Sequence, residues 1–275
     1  MLDKAENYQS HLDYFSSKKI DVTHPGFYDD EKFIKLEQTN PNLLDNYASF
    51  VSQKVFNKDY LSNAERVIKK TAELLFEQLH KDGRQGACTD ASMAMSRILE
   101  KEGIWNYQVK GSLTITFPNQ TNIKRKYFWS VDQGNYVAAH SWLIAPPYKI
   151  IDITVRQQAY KQGETQFLPN LILKKETKFS TLELEDIVEP NLLSLFYNQY
   201  GKNKTKIINA ISPNLQSFSN LFKPEVVEEN GVIFKYSSTG IVAPDLPFEQ
   251  ATSLKLNGLY GIDIYNKIIK PQLQD

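Results

Sequence analysis

The sequence predicts an α+β fold in which helices precede an antiparallel sheet. Two apolar repeats at helical spacing, one ending near residue 82 and one running from Cys88 to Lys101, come first. Four stretches typical of strands follow between residues 107 and 155, joined by short turn-rich connections. Short connections join antiparallel neighbours, so we expect a meander packed against the second helix.

Composition sets the class of protein before any motif is considered. Hydrophobic residues make up 41% of the 275 residues, enough for a core, and Lys+Arg balance Asp+Glu at 32 each. This balance predicts no nucleic-acid or anionic-lipid partner. No apolar run reaches transmembrane length, so we expect no membrane association. A single cysteine cannot form an internal disulfide, and we expect a cytoplasmic protein.

Three helices are predicted before the sheet. Apolar residues at helical spacing indicate one from about Asn42 to Phe56. Ser62-Asn63-Ala64-Glu65 has the form of a capping box and predicts the start of the next, which Asp82-Gly83 ends. The third begins near Cys88 and stops before Gly103.

Four strands are predicted, over residues 107–117, 125–131, 136–144 and 149–155. The last two form a hairpin, and symmetry about Pro146 would place His140 directly opposite Asp152. Side-chain alternation then puts these two residues and Trp142 on one face of the sheet. The other face would carry Leu143, Ile151 and Ile153.

The pattern weakens after residue 162, so we divide the chain there. Residues 1–162 would form the domain that carries the site, and residues 163–275 a mixed C-terminal extension or accessory domain. Within the second part we predict a strand over 182–188, a helix over 191–200 and a strand over 232–236, with helical stretches over 248–270.

A thiol, an imidazole and a carboxylate appear in the order Cys88, His140, Asp152. A cysteine acts as a nucleophile when it is a thiolate, which a helix N-terminus and a nearby imidazolium both favour. His140 would pair with the thiolate and protonate the leaving group, and Asp152 would orient the ring. A buried, inert cysteine is the competing interpretation, because free Cys behaves as a small hydrophobe.

Neighbouring residues suggest the rest of the site. The backbone N–H of Cys88 is a natural oxyanion donor, and Gln85 is a candidate for a second. Gly86 would let a substrate approach the backbone closely, and Trp142 would lie beside the substrate. His11 and His24 have no metal-ligand neighbours, so we expect neither a metal nor another cofactor.

The motifs resemble the transglutaminase-like family of the papain-like cysteine superfamily. The resemblance rests on Gly86-Ala87-Cys88-Thr89-Asp90-Ala91, on His140-Ser141-Trp142 and on Asp152-Ile153-Thr154. It implies a cysteine-bearing helix packed on an antiparallel sheet with histidine and aspartate on adjacent strands. The implied chemistry is acyl transfer or hydrolysis at an amide of a protein, peptide or small molecule, through a thioester. Ile153 stands where the family often has proline.

Two alternatives remain open. Residues 84–90 also resemble the arylamine N-acetyltransferase motif, which uses the same three residue types with acetyl-CoA, although that motif favours glycine where Gln85 stands. The chain could instead be a binding module that keeps the fold without catalysis.

Overall fold

A curled antiparallel sheet flanked by helices makes the fold α+β. The structure, a computed structural model, describes residues 4–132, 135–136 and 139–274. Its helices are α1 Lys4–Ser17, α2 Glu31–Glu37, α3 Leu43–Gln53, α4 Lys58–Asp82, α5 Cys88–Lys101, α6 Leu184–Ile187, α7 Pro190–Tyr200, α8 Lys204–Ile211, α9 Leu215–Leu221, α10 Gly261–Ile264 and α11 Lys270–Gln274, the last two joined by a π-helical turn.

The strands fall into one large sheet and two small ribbons. Their bounds are β1 Tyr107–Thr116, β2 Lys126–Phe128, β3 Val131–Asp132, β4 Asn135–Tyr136, β5 His140–Ala145, β6 Tyr148–Asp152, β7 Ile172–Lys174, β8 Lys178–Phe179, β9 Glu225–Glu229, β10 Val232–Val242, β11 Lys255–Leu256 and β12 Leu259–Tyr260. The order in the large sheet is β7-β6-β5-β1-β10-β9-β8, with β2 paired to β1.

The helices before the sheet lie close to their predicted positions. α5 has the predicted bounds, and α4 ends at Asp82, just before Gly83, whose φ of 77° is the left-handed conformation that glycine adopts without strain. The predicted start of α4 is wrong. Asn57 caps the helix by accepting a hydrogen bond from the Tyr60 N–H, so the Ser62–Glu65 sequence lies inside the helix.

The prediction that the four strands form a simple meander is also wrong. β1 lies at the centre of the sheet and pairs with β10 along its length on one side and with β5 and β2 on the other. The predicted strand over 125–131 divides into β2 and β3. β3 pairs with β4 in a separate ribbon, and β5 pairs with β1 instead of with β4, the strand before it. Part of the predicted strand over 136–144 lies outside the described residues.

The C-terminal half completes the same sheet. β10 covers the predicted strand over 232–236 and continues to Val242 beside β1, so strands from both sides of residue 162 share one sheet. α7 confirms the helix predicted over 191–200. The strand predicted over 182–188 is wrong, because this segment contains the short helix α6, whose Leu184 and Ile187 pack into a small apolar cluster.

The sheet separates two apolar clusters. Trp142 and Ile150 belong to the cluster that contains the N-terminal helices, whereas Leu143, Ile151 and Ile153 pack with α4 and α5. This alternation is the one that the sequence predicts for the β5–β6 hairpin. Ser92, in the N-terminal part of α5, donates a hydrogen bond to the carbonyl oxygen of Ser141, so the start of the helix lies near the start of β5.

A buried arginine joins α5 to two distant segments of the chain. Arg97 contacts Asp29 at 2.5 Å and Glu100 at 3.0 Å, and it donates hydrogen bonds to the carbonyl oxygens of Pro244 and Leu246. Because its charge is paired on several sides, the guanidinium can lie in the interior and fix the helix in place.

Candidate functional site

Cys88 is the first residue of α5 and only 6% of its surface is exposed. Gly86 precedes it with a φ of +67°, and its N–H donates a 2.8 Å hydrogen bond to the Gln157 carbonyl oxygen. A glycine adopts this left-handed conformation without a Cβ clash. The turn therefore directs the chain into the helix, and the Cys88 N–H lies in the first turn, where helices supply no acceptor of their own.

Hydrogen bonds fix the start of α5 against the sheet. Gln108 of β1 donates from Nε2 to the Thr89 carbonyl oxygen at 3.2 Å and to Ser141 Oγ at 2.9 Å. Ser92 Oγ donates to the Ser141 carbonyl oxygen at 3.2 Å. These buried bonds link the turn after Cys88 to the residue after His140.

His140 begins β5 and is fully buried. Its Nε2 lies 2.6 Å from Oδ2 of Asp152, the last residue of β6. The predicted register of the hairpin is nevertheless wrong: Leu143 pairs with Ile151 and Ala145 with Tyr148, with a bulge between the two pairs. The shift preserves the alternation of faces, so the two side chains meet diagonally instead of directly across.

Asp152 accepts hydrogen bonds at both carboxylate oxygens. Thr154 donates to Oδ1 from its backbone N–H at 2.9 Å and from its hydroxyl at 3.1 Å. The Tyr236 hydroxyl donates to Oδ2 at 3.0 Å, beside the His140 contact. A buried carboxylate with this many donors is held as an anion in one orientation.

These contacts shift all three pKa values toward the charged forms. Burial opposes the charge on Asp152, but His140 and the hydrogen bonds from Thr154 and Tyr236 outweigh it and lower the pKa. Burial likewise opposes a charged ring, yet the charge and hydrogen bond of Asp152 raise the pKa of His140 to about 10. Burial raises the pKa of the Cys88 thiol, and interaction with His140 more than offsets this, so the net change is downward.

The second ring nitrogen faces a different environment. His140 Nδ1 is buried and forms no well-aligned hydrogen bond with any residue in the described ranges. The Cys88 thiol interacts with this ring by charge and by a loose polar contact. The arrangement leaves one ring nitrogen bound to Asp152 and the other available for a proton from the thiol.

Aromatic side chains surround the imidazole. The ring centroids of Phe128 and Trp142 each lie 6.2 Å from that of His140, and Tyr160 packs against Phe128 at 5.9 Å. Lys126 places its ammonium 5.6 Å from the Phe128 ring centroid. These rings exclude water from the His140–Asp152 pair, which strengthens its electrostatic interaction.

The structure positions the remaining predicted residues as follows. Gln85 is exposed, and so is Gly86, two residues before Cys88. Trp142 is 1% exposed and contacts the imidazole. The roles of Gln85 as an oxyanion donor and of Gly86 and Trp142 beside a substrate stay predictions.

Sequence reasoning missed Tyr236 and the bonding role of Thr154. An aspartate two residues before a threonine is a local signal for the Asp152–Thr154 turn, since Asx side chains often accept from the backbone two residues on. Tyr236 lies 84 residues from Asp152 and has no local signal.

Searches against known families, curated proteins and solved structures give no match. Over the described ranges, no group of three or more His, Cys, Asp or Glu side chains is arranged to hold a metal ion. No helix in the same ranges is both long and apolar enough to cross a membrane.

Proposed function

We propose that the protein is a cysteine-dependent enzyme that transfers or hydrolyses an acyl group at an amide through a thioester on Cys88. The observation that carries the proposal is the buried 2.6 Å contact between His140 Nε2 and Asp152 Oδ2, next to a thiol whose pKa is lowered. An inert structural cysteine has no need of an imidazole whose other nitrogen is held by a carboxylate.

In the first half-reaction the Cys88 thiolate attacks the carbonyl carbon of a carboxamide. The S–C bond forms and the carbonyl electron pair moves onto oxygen. When the intermediate collapses, the C–N bond breaks and the nitrogen takes the proton of the His140 imidazolium, so that ammonia or an amine leaves. A thioester and a neutral imidazole remain.

In the second half-reaction water or an amine attacks the thioester. The neutral imidazole of His140 accepts a proton from the attacking group as its bond to the carbonyl carbon forms. The C–S bond then breaks and the thiolate–imidazolium pair is restored. Asp152 keeps its hydrogen bond to Nε2 throughout, which fixes the ring with Nδ1 toward the thiol.

The backbone supplies the support for the developing oxyanion. The Cys88 N–H belongs to the first turn of α5, and the positive end of the helix dipole lies there. A donor that is already oriented costs no reorganisation when charge develops on the carbonyl oxygen. We assign this N–H the oxyanion role, with Gln85 as the candidate for a second donor.

The proposed substrate class follows from the resemblance to the transglutaminase-like family. We propose a protein, peptide or small amide as acyl donor and either water or an amine as acceptor, with no cofactor. Assays with a capped glutamine peptide measure ammonia release and amine incorporation. A parallel assay with acetyl-CoA and an arylamine tests the acetyltransferase alternative.

The deciding experiment is the pH profile of thiol alkylation by iodoacetamide, followed by intact mass. Cys88 is the only cysteine, so every adduct reports on it. The expected midpoint lies below the ordinary thiol pKa of about 8.5, and His140→Ala should move it up to that value or beyond. The full chain is required, because β10 lies beside β1 at the centre of the sheet.

Controls separate chemistry from folding. His140→Gln serves as a second variant, since a polar side chain can keep a hydrogen bond to Asp152, and thermal unfolding checks both proteins. A midpoint near 8.5 in the wild type and in both variants would refute the nucleophile assignment. For any amide that the wild type turns over, Cys88→Ala should abolish turnover while changing stability little.

A further inference from the structure

A cleft with a volume of about 610 Å³ lies behind the His140–Asp152 pair. It is bounded by the end of α3, the β5–β6 hairpin and the segment from α9 to β9. Trp142 and Tyr236 form part of its wall, and the same side chains contact His140 and Asp152. Cys88 does not line it. Its size is that of small-molecule sites, which commonly range over about 300–1,000 Å³.

The wall is mainly apolar and aromatic. Besides Trp142 and Tyr236, the chain supplies Ile144, Ile150 and Phe222. An apolar wall of this size favours a ligand with a hydrocarbon or aromatic body.

Cationic groups lie at one end of this cleft. The ammonium groups of Lys149 and Lys223 lie 5.4 and 6.0 Å from the ring centroid of Phe179, a side chain that is 65% exposed. In the described ranges neither lysine has a carboxylate within 4 Å. Two such cations beside an apolar cleft favour an anionic head group and oppose an amine.

Glu225, the one acid among the described residues of the wall, fits the same ligand. Oε2 of Glu225 is buried without a hydrogen-bond partner in the described part of the chain. Burial predominates over the opposing effects of Lys149 and Thr177 and raises the pKa of this carboxyl to about 7. A carboxyl that protonates this readily can donate a hydrogen bond to an anion instead of repelling it.

We propose that this cleft binds a single anionic amphiphile, with its apolar body against Trp142 and Ile144 and its head group toward Lys149 and Lys223. Trp142 and Tyr236 are shared with the surroundings of the His140–Asp152 pair, but the inference needs no step at Cys88 and is therefore independent of the proposed catalytic function.

Isothermal titration with octanoate, octan-1-ol and octylamine tests the head-group preference directly. Octanoate should bind at one site per chain and more tightly than the alcohol, and octylamine should bind most weakly. Lys149→Gln and Lys223→Gln should each weaken octanoate by about fivefold, the value of one hydrogen bond of about 1 kcal/mol, and leave the alcohol unchanged. Lys255→Gln is the matched control, since that lysine lies over the Tyr260 ring, away from the cleft.

Filling the cleft tests its location. Ile144→Trp should reduce octanoate binding at least tenfold, whereas Ile233→Trp, on the exposed side of β10, should not change it. Leu221→Trp, at a 57% exposed position in the cleft wall, provides a second blocking variant if Ile144→Trp unfolds.

Three results would overturn the proposal: no saturable octanoate binding, equal binding of all three probes, or binding that survives both blocking variants. Anionic vesicles should not bind, because a cleft of this size takes one molecule. Vesicle binding without octanoate binding would assign the cations to a membrane surface and also contradict the proposal.

Discussion

Tyr236 and His140 contact the same carboxylate oxygen of Asp152, the hydroxyl at 3.0 Å and Nε2 at 2.6 Å. The tyrosine comes from β10 and the histidine from β5, so two strands that flank β1 meet at one atom. This convergence explains how a carboxylate stays charged in an interior position: each donor replaces a hydrogen bond that water would otherwise provide.

The hydrogen bond from the Tyr236 hydroxyl to Asp152 should contribute measurably to the stability of the protein. Tyr236→Phe removes a hydrogen bond to a charged acceptor while keeping the ring in the core, and should lower the free energy of unfolding by about 1.5–3 kcal/mol. Tyr107→Phe is the control, because that buried hydroxyl is hydrogen-bonded to the neutral Ser52 Oγ and its loss should cost about 0.5–1.5 kcal/mol. Urea unfolding measures both, and equal losses would contradict a charged Asp152.

Asp152→Asn should raise the midpoint of the Cys88 alkylation profile. The carboxylate charge and its hydrogen bond raise the pKa of His140, so a neutral amide favours a neutral ring and removes the cation that stabilises the thiolate. Thr154→Val is the comparison, since it removes one donor to Asp152 and leaves the charge. The alkylation profile of Thr154→Val should stay close to that of the wild type. If the profile of Asp152→Asn is also identical to that of the wild type, Asp152 does not stabilise the thiolate through His140.

The pH dependence of stability gives a test that needs no substrate. The pKa of His140 is about 10 in the folded protein and about 6.5 when unfolded, so its contribution is complete below about 6.5 and is lost as pH rises toward 10. In the Cys88→Ala background no thiol titrates and the contribution of Cys88 to the raised pKa is lost, so the interval is shorter, but Asp152 still raises the pKa of His140. Stability should therefore fall by about 1.4 kcal/mol per pH unit from this group as pH rises above about 6.5, until the pH reaches the folded pKa. Cys88→Ala/His140→Gln should lack this slope, and equal slopes in the two proteins would count against the raised pKa.

The contribution of the His140–Asp152 pair to the stability of the protein is also lost in acid, where Asp152 takes up a proton. The pKa of Asp152 is lowered in the folded state, so its contribution is present above the unfolded value of about 3.9 and is lost as pH falls through the folded value. The combined contribution of the pair is therefore complete between about pH 4 and 6.5.

Gly111 pairs with His140 across β1 and β5, and its small size is required there. A Cβ at this position would lie 2.2 Å from the Ser237 carbonyl oxygen and 2.8 Å from the Trp142 ring. Gly111→Ala should therefore destabilise the protein by about 1–3 kcal/mol, because backbone atoms of β10 must move. Gly240→Ala is the matched control, since its close neighbour is the end of the flexible Lys110 side chain. Thermal unfolding distinguishes them, and an unchanged midpoint in Gly111→Ala would show that the sheet adapts.

Local patterns were enough to define several elements. The spacing of apolar residues predicts α5 with its observed bounds, because an amphipathic helix with a glycine stop carries its own information. Alternation along β5 and β6 places His140 and Asp152 on one face, and that result survives the wrong register because a shift by two residues preserves the face.

Long-range pairing was not accessible in the same way. No turn signal relates β1 to β10, whose residues are more than a hundred positions apart, so the meander expectation fails where tertiary contacts decide the neighbour. The pairing of β10 with β1 brings Tyr236 to Asp152. The cleft behind Trp142 likewise forms where segments distant in the sequence meet.

By itself, the sequence determined the α+β class, the helix that begins at Cys88 and the common face of His140 and Asp152, because these depend on periodicities of a few residues. Only the tertiary structure decided the strand order, the bulged hairpin register and the contact of Tyr236 with Asp152. Those features depend on which surfaces pack together, and burial of apolar area is non-directional, so it leaves no local mark from which a partner can be read.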